Sequence, residues 1–187
     1  GESGVGAALL AKKEGMEVFL SEFGRLKEKY RDELIAHQVL FEEGGHDFER
    51  LLDYDLIVKS PGVPDKASII GNLRANEKLI ISEIEFASWF TEVPVIAITG
   101  SNGKTTTTGL IHHLLKSAGM RSCVGGNIGK SFARILSESV DCEVFVLELS
   151  SFQLDGILDF KPKVAVLLNI TPDHLDRYEY DFGKYAK

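Results

Sequence analysis

The chain carries, at residues 95–105, the sequence Val-Ile-Ala-Ile-Thr-Gly-Ser-Asn-Gly-Lys-Thr. Its first five residues are apolar or β-branched and predict a buried strand, and a helix is predicted from residue 104 to about 118. A strand that leads through a glycine-bearing loop into a helix is the arrangement that binds phosphate groups in α/β proteins. This stretch therefore predicts an α/β fold with a phosphate site at the end of one strand.

The loop has the chemistry of a P-loop. Its glycines let backbone N–H groups converge on phosphate oxygens, Lys104 can reach the outer phosphates, and the Thr105 hydroxyl can bind Mg²⁺. It departs from the G-x-x-x-x-G-K-[ST] pattern because Ile98 stands where the first glycine would be. A glycine-rich turn with an incidental lysine is the alternative that the residues leave open.

Composition narrows the class of protein. The chain has 187 residues, 44% of them hydrophobic and 26% charged, which is typical of a folded globular protein. Its 21 basic and 28 acidic residues give a net charge of −7, which argues against a nucleic-acid-binding surface. No apolar run approaches the roughly 20 residues that span a bilayer. We expect a soluble cytoplasmic protein with no membrane partner, whose Cys123 and Cys142 are buried, reduced thiols.

Two units are expected, residues 1–93 and residues 94–187, with the boundary at Pro94. In the first unit a helix is predicted at 4–14, another at 82–91 with Ser82 as its N-cap, and helices between the strands. The predicted strands of this unit lie at residues 16–20, 55–59 and 79–81. The second unit adds strands at 121–124, 143–149 and 164–170 to the strand at 95–99. The last two are so continuously apolar that we expect burial on both faces of a mostly parallel sheet.

Ionisable side chains lie at the ends of two of these strands. Glu148 ends one strand at the edge of the sheet where ligands collect, and Mg²⁺ is the obvious partner for a carboxylate there. A structural lysine or a helix cap is the alternative. His174 follows the strand at 164–170, and a lone histidine in such a loop is more often structural than metal-binding. Asp173 and Asp176 beside it could orient its ring.

Polar residues follow the same strands. Asn127 lies among glycines, where a left-handed turn would favour asparagine. Ser150, Ser151 and Gln153 follow Glu148 and could donate hydrogen bonds to a ligand, cap a helix, or do both.

Several strings together resemble one family, the Mur ligases, which activate a carboxylate with ATP and couple it to an amine. The similar strings are Gly100–Thr105, Gly125-Gly126-Asn127-Ile128-Gly129, Glu148-Leu-Ser-Ser-Phe-Gln-Leu154 and Asn169-Ile-Thr-Pro-Asp-His-Leu-Asp-Arg-Tyr178. Within the family, the string at residues 148–154 and Ser101 of the loop resemble the sequences of members that add D-glutamate to UDP-N-acetylmuramoyl-L-alanine in peptidoglycan synthesis. The resemblance covers essentially the whole chain and implies a Rossmann-like UDP-binding domain followed by a partial P-loop ATPase domain.

The resemblance also implies roles for particular residues. The implied catalytic residues are Lys104, Glu148 and His174, and the implied Mg²⁺ ligands are Thr105, Glu148 and His174. The implied ATP contacts are Gly100, Ser101, Asn102, Gly103, Lys104, Thr105 and Thr106. The implied contacts to the UDP-substrate are Gly4, Ser60, Pro61, Gly62, Asn127, Ser150, Ser151, Gln153 and His174. ATP and Mg²⁺ are the implied cofactors. The acceptor carboxylate would be phosphorylated by ATP and then attacked by the amine of D-glutamate.

The first residues, Gly1-Glu2-Ser3-Gly4-Val5-Gly6, are similar to the tail of a glycine-rich Rossmann turn whose first strand and first glycine are missing. In the Mur ligases such a turn and a Ser-Pro-Gly loop hold the diphosphate of a UDP-sugar, and Ser60-Pro61-Gly62 matches that loop. Taken alone, this half leaves a nicotinamide site open, since Glu22 follows the strand at 16–20 and could bind a ribose.

Other functions remain as alternatives. They are another Mur-type or folylpolyglutamate-type ligase, and a nucleotide-binding module without catalysis. The resemblance implies a C-terminal amino-acid-binding domain that this sequence lacks, so we expect the 187-residue chain to be inactive as a ligase by itself. It also implies a carbamylated lysine about two positions beyond the chain, so Lys187 is not expected to be that residue.

Overall fold

A computed structural model describes residues 1–186; Lys187 and the expectation about it lie outside the described residues. Helices and parallel strands alternate along the chain, as predicted for an α/β fold. The helices are α1 (Glu2–Lys13), α2 (Glu28–Ala36), α3 (Phe48–Leu52), α4 (Ser68–Ala75), α5 (Glu83–Ser88), α6 (Lys104–Ser117), α7 (Phe132–Ser137), α8 (Ser151–Leu154) and α9 (Phe182–Ala186), with a 3₁₀ helix at Leu175–Arg177. The strands are β1 (Phe19–Glu22), β2 (Leu40–Glu43), β3 (Leu56–Lys59), β4 (Leu79–Ser82), β5 (Val95–Thr99), β6 (Ser122–Gly126), β7 (Val144–Glu148) and β8 (Val164–Leu167).

The first four strands form two separate parallel pairs, β1 with β2 and β3 with β4. A cleft of about 840 Å³ is lined by residues of both β1 and β3, together with the alanine-bearing face of α1. The remaining strands form one parallel sheet in the order β6-β7-β5-β8. The change from one set of strands to the other falls between Ser82 and Val95, around the predicted boundary at Pro94.

Several predicted elements agree with the structure closely. The strand predicted at 95–99 is β5, and the helix predicted at 104–118 is α6. Ser82 caps α5 as predicted, because its side chain accepts a hydrogen bond from the Glu85 N–H group. The sheet centre is apolar, and every residue of β7 is buried. This buried centre fixes the carboxyl ends of β5 and β7 side by side.

Two predictions about strands were wrong. The region that contains β2 was expected to be helical, because β2 reads Leu-Phe-Glu-Glu and glutamate is depleted in strands. The strand at 164–170 was expected to be buried on both faces, yet Val164 is 47% and Leu167 60% exposed. In the described part of the chain β8 is one of the two edge strands and pairs only with β5, so its apolar side chains lack the neighbours that would bury them.

The two sets of strands are joined by helices. Arg134 of α7 forms ion pairs with Glu2 of α1, at 2.6 Å, and with Glu33 of α2. The Arg134 guanidinium holds the pKa of the Glu33 carboxyl below its usual value. Both cysteine thiols are free and half-buried. No helix among residues 1–186 has the length and apolar character that a bilayer-spanning helix needs.

Candidate functional site

The glycine-bearing loop follows β5 and ends where α6 begins, at Lys104. Gly100 has a φ of +136° and Gly103 a φ of +85°, both in the region that favours glycine. A Cβ atom at Gly100 would also lie only 3.0 Å from the carbonyl oxygen of Asn169. Two independent features therefore require glycine at position 100: the backbone conformation and the close approach of the segment after β8.

The loop is held in place by that neighbouring segment. The Ser101 hydroxyl donates to the Thr171 carbonyl oxygen at 2.7 Å and accepts from the Thr171 N–H group at 2.9 Å. The Asn169 side chain accepts from the Asn102 N–H group and donates to the Asn102 carbonyl oxygen, both at 2.9 Å. These paired bonds fix the loop backbone before any ligand arrives, which is the preorganisation that a phosphate site needs.

Lys104 folds back over the loop. Its Nζ atom donates to the carbonyl oxygen of Gly100 at 2.6 Å and to that of Ser101 at 3.0 Å. The structure therefore places a positive charge directly over the loop, at the positive end of the α6 dipole, where an anion would be stabilised by both. Thr106, also predicted to contact ATP, lies in the first turn of the same helix.

Glu148 joins three elements at the carboxyl edge of the sheet. It is the last residue of β7, is only 2% exposed, and lies opposite Ile98 of β5 in the strand register. Its Oε2 atom accepts a 2.7 Å hydrogen bond from the Thr105 hydroxyl, and its Oε1 atom accepts a 3.0 Å bond from Nδ2 of Asn127. The structure thus brings Thr105, Asn127 and Glu148 together, three residues that were singled out from separate strings of sequence.

Asn127 lies beside Glu148 because the preceding residue, Gly126, packs closely against the end of β7. Gly126 has a φ of +95°, and a Cβ atom on it would lie 2.3 Å from the Glu148 carbonyl oxygen. That carbonyl accepts a 2.8 Å hydrogen bond from the Asn127 N–H group. The end of β6 can therefore approach the end of β7 only because residue 126 has no side chain.

The described side-chain contacts of His174 are with Asp173 and Phe152. Its side chain is 57% exposed, its Nε2 atom is 3.6 Å from Oδ2 of Asp173, and its ring packs edge-on against Phe152 with centroids 5.1 Å apart. Over residues 1–186, no three His, Cys, Asp or Glu side chains are grouped so as to hold a metal ion. Thr105 and Glu148, two of the three Mg²⁺ ligands that the resemblance implies, are hydrogen-bonded to each other, and the ligand role of all three residues stays a prediction.

Ser150 and Gln153 form a capping box at the start of α8. The Oε1 atom of Gln153 accepts hydrogen bonds from both the N–H group and the hydroxyl of Ser150, each at 3.0 Å. Gln153 is also only 1% exposed. In this structure the side chains of Ser150 and Gln153 therefore cap the helix, which is one of the two roles considered from the sequence. Ser151 is half-buried in the first turn of α8, and its contact with a substrate stays a prediction.

The predicted diphosphate contacts of the first unit also lie together. A Cβ atom on Gly4, near the start of α1, would lie 3.1 Å from the Ser60 hydroxyl oxygen at the end of β3. The loop Ser60-Pro61-Gly62 is therefore next to the glycine-bearing start of α1, as the resemblance implies. Nη1 of Arg177 donates to the Pro61 carbonyl oxygen at 2.8 Å, which connects this loop to the segment after β8.

Sequence reasoning missed two groups of residues near these loops. No individual role was predicted for Arg177, although it contacts the Ser-Pro-Gly loop. His46 was not singled out, but its Nδ1 atom is 2.5 Å from the Ser21 hydroxyl, which in turn donates to Glu42 at 2.6 Å. Ser21 and His46 both line the cleft next to β1. These contacts join residues far apart in the chain, and the sequence carries no local signal for them.

The parallel sheet, the loop after β5 and the helix that starts at Lys104 define the chain as an α/β protein of the P-loop class. Family comparison makes this specific, because the "Mur ligase middle domain" model matches residues 98–187 and the "MurD N-terminal domain" model matches residues 6–69. The chain belongs to the Mur ligase family.

Curated relatives share the same name. The UDP-N-acetylmuramoylalanine--D-glutamate ligase of Christiangramia forsetii is 56% identical over 185 residues, which are 99% of this chain and 41% of that protein. The ligase of the same name from Bacteroides thetaiotaomicron is 50% identical with the same coverage. The chain thus spans about two fifths of the length of the relatives it matches.

Solved structures agree on the fold. The UDP-N-acetylmuramate:L-alanyl-gamma-D-glutamyl-meso-diaminopimelate ligase from Neisseria meningitides matches with a TM-score of 0.61 and 22% identity, over 97% of this chain and 61% of that one. The UDP-N-acetylmuramate-alanine ligase MurC from Thermotoga maritima matches with a TM-score of 0.58 and 24% identity, over 99% of this chain and 44% of that one. At these identities the likeness concerns the fold alone.

Proposed function

We propose that this chain is the UDP-substrate-binding and ATP-binding part of a ligase that adds D-glutamate to UDP-N-acetylmuramoyl-L-alanine in peptidoglycan synthesis. The observation that carries the proposal is the joining of Thr105, Glu148 and Asn127 at the sheet edge beside Lys104. Support for this particular substrate and amino acid comes from relatives at 50% identity or more over nearly the whole chain, which carry that name.

In this proposal the two sets of strands bind different ligands. Residues 1–93 bind the UDP part of the substrate, with the diphosphate at Gly4 and the Ser60-Pro61-Gly62 loop. Residues 94–187 bind ATP at the loop from Gly100 to Thr106. The closeness of Gly4 to Ser60 supports the first assignment, and the fixed loop backbone around Ser101 and Asn102 supports the second.

The proposed reaction has two steps. A carboxylate oxygen of the L-alanyl group attacks the γ-phosphorus of ATP, the bond from that phosphorus to the bridging oxygen breaks, and ADP leaves. The amine of D-glutamate then attacks the carbonyl carbon of the acyl phosphate, loses a proton and expels inorganic phosphate to leave an amide. Lys104 stabilises the negative charge on the transferred phosphoryl oxygens, since its ammonium group already lies over the loop.

The residues present fit a magnesium ion. The Thr105 hydroxyl and the Glu148 carboxylate offer two oxygen atoms 2.7 Å apart, and oxygen atoms from one or two side chains plus phosphate are what Mg²⁺ uses in such sites. When bound, the ion would supply positive charge to the phosphate oxygens. Asn127 orients the Glu148 carboxylate through its bond to Oε1. His174 is proposed as a further ligand near the acceptor carboxylate.

The experiment is a phosphate-release assay on the full-length ligase that contains this chain, with ATP, Mg²⁺ and UDP-N-acetylmuramoyl-L-alanine. Phosphate release is expected with D-glutamate and not with L-alanine, a diamino acid or a folate acceptor. Release with one of the other amino acids would identify a neighbouring ligase. Binding of ATP with no turnover on any substrate would identify a nucleotide-binding module instead.

A further inference from the structure

Arg177 connects the two sets of strands at their candidate ligand loops. It ends the short 3₁₀ helix that follows His174, and its Nη1 atom donates to the Pro61 carbonyl oxygen at 2.8 Å. Its Nη2 atom lies 3.5 Å from the Gly62 carbonyl oxygen. The two chain segments are 116 residues apart in sequence, so this contact exists only in the folded protein.

The other face of the guanidinium group lies on an aromatic ring. The Arg177 carbon Cζ is 4.3 Å from the centroid of the Phe152 ring, and the same ring packs against His174. A planar guanidinium can stack on a ring and donate from its edge at the same time, which an ammonium cannot do. Arg177 is therefore held in one orientation by Phe152 while it reaches Pro61.

Neighbouring contacts hold both ends of this connection. Within the first unit, Nζ of Lys59 donates to the Val63 carbonyl oxygen at 3.2 Å and to Oδ2 of Asp65 at 3.0 Å. Within the second unit, the Tyr178 hydroxyl donates to Oδ2 of Asp155 at 3.3 Å. Arg177 thus links two loops that are each anchored on their own side.

The contact determines which way the loop's amide groups face. A peptide group is planar and trans, so its N–H bond points opposite to its C=O bond. The Pro61 carbonyl oxygen is directed at Arg177, and the Gly62 N–H group of the same peptide is therefore directed away from it. A fixed, outward-facing backbone N–H group is the donor that binds phosphate oxygens in glycine-bearing loops.

We propose that Arg177 is a positioning residue for the UDP-substrate: from the second unit it fixes the Ser60-Pro61-Gly62 loop in the conformation that presents the Gly62 N–H group to the diphosphate. The proposal rests on the proposed function for the identity of the ligand. Arg177 acts through the loop and does not itself touch the phosphate. Loss of the arginine loosens the loop, weakens binding of the UDP-sugar and leaves ATP binding unchanged.

The first test is amide hydrogen exchange on the 187-residue chain, measured at Val63, whose N–H group donates to the Ser60 carbonyl oxygen within this turn. Arg177→Ala is expected to speed exchange at Val63 by about tenfold, the size expected for loss of a charge-assisted hydrogen bond. Arg121→Ala is the matched control, because it removes the same group from the far end of the sheet, where Arg121 pairs with Asp141 and Glu143. Unchanged exchange in Arg177→Ala would overturn the proposal.

The second test is calorimetry of the same proteins with UDP-N-acetylmuramoyl-L-alanine and, separately, with ATP and Mg²⁺. Arg177→Ala should bind the UDP-sugar about tenfold more weakly and ATP as the parent does. Arg177→Lys keeps the charge but not the planar fork, so it should recover only part of the affinity. Full recovery by lysine would mean that the charge acts on the phosphate directly, and the positioning role would be wrong. If the parent chain does not bind the UDP-sugar at all, the proposed function fails, and the exchange experiment still decides whether Arg177 holds the loop.

Discussion

The Thr105 hydroxyl donates a 2.7 Å hydrogen bond to Oε2 of Glu148, and this bond ties the first turn of α6 to the end of β7. Because Glu148 is 2% exposed, its carboxylate cannot move far from this position. The bond therefore defines one point on the sheet edge where a cation and a phosphate group can meet.

Glu148→Gln should weaken the dependence of ATP binding on Mg²⁺. The amide keeps the shape of the side chain but removes the negative charge that attracts the ion. The gain in ATP affinity on adding Mg²⁺ should therefore be smaller in the variant than in the parent by a factor of about ten or more. Calorimetry with and without Mg²⁺ measures this. Glu143→Gln is the control, since Glu143 precedes β7 at its opposite end and pairs with Arg121. An equal Mg²⁺ effect in Glu148→Gln and the parent would contradict the assignment.

Lys104→Ala in the full-length ligase should abolish acyl-phosphate formation without unfolding the protein. The ammonium group lies over the loop and bonds only to two loop carbonyl oxygens among the described contacts, so its removal costs little structure. Loss of one transition-state contact of this kind lowers the rate by about a hundredfold or more. Turnover is measured by phosphate release, with Lys116→Ala, at the other end of α6, as the control. A Lys104→Ala enzyme that turns over near the parent rate would disprove the role.

Gly126→Ala should destabilise the chain by at least about 2 kcal/mol, because a left-handed backbone and a clash with a carbonyl oxygen are imposed together. The clash is severe, since the new Cβ atom would lie 2.3 Å from the Glu148 carbonyl oxygen. Gly109→Ala is the matched comparison: residue 109 lies within α6, and a Cβ atom there meets nothing within 4 Å. That variant should be more stable than the parent by about 0.5–1 kcal/mol. Urea unfolding compares the two, and equal effects would contradict the close approach of β6 to β7.

Glu83 should make the chain less stable as the pH rises. Burial raises the pKa of Glu83 from 4.5 to about 7, the Glu2 carboxylate adds to the rise, and hydrogen bonds from Ala133 and Ser131 oppose it. Between these two pH values the folded chain binds the Glu83 proton more tightly than the unfolded chain, so the contribution of Glu83 to the free energy of unfolding falls by about 3 kcal/mol from pH 4.5 to 7 and is constant above that.

Glu83→Gln removes this titration, and its unfolding free energy should fall less steeply over the same pH range. Urea unfolding at several pH values between 4.5 and 8 measures both proteins. Glu77→Gln, on an exposed residue outside the helices and strands, is the control. Parallel curves for Glu83→Gln and the parent would show that Glu83 does not hold a proton in the folded chain.

Local sequence predicted the loop and its neighbours well. The strand at 95–99, the helix at 104 and the position of Glu148 at a strand end could be anticipated from apolar runs, glycines and polar strand ends. The hydrogen bond from Asn127 to Glu148 was not predicted. The carboxyl ends of adjacent parallel strands lie side by side in a sheet. Glu148, at the end of β7, could therefore be expected near the loop that follows β5.

Contacts between distant segments could not be predicted in the same way. Arg177 reaches Pro61 across 116 residues, and the burial of Glu83 depends on α7 packing over it. The exposure of β8 was missed because an apolar run shows that a strand can be buried, not that neighbours are present to bury it. β2 was missed because two of its four residues are glutamates, which are depleted in strands.

The most direct test of the proposed function is product analysis by mass spectrometry. The full-length ligase that contains this chain is incubated with ATP, Mg²⁺, UDP-N-acetylmuramoyl-L-alanine and an equimolar mixture of ¹⁵N-labelled D-glutamate and unlabelled L-glutamate, L-alanine and L-lysine, beside its Lys104→Ala variant; the label distinguishes the two glutamate products by mass. We predict one product, the substrate extended by D-glutamate, formed by the parent and reduced at least about a hundredfold in the variant. A product that carries another amino acid, or no product from a folded protein that binds ATP, would contradict the account.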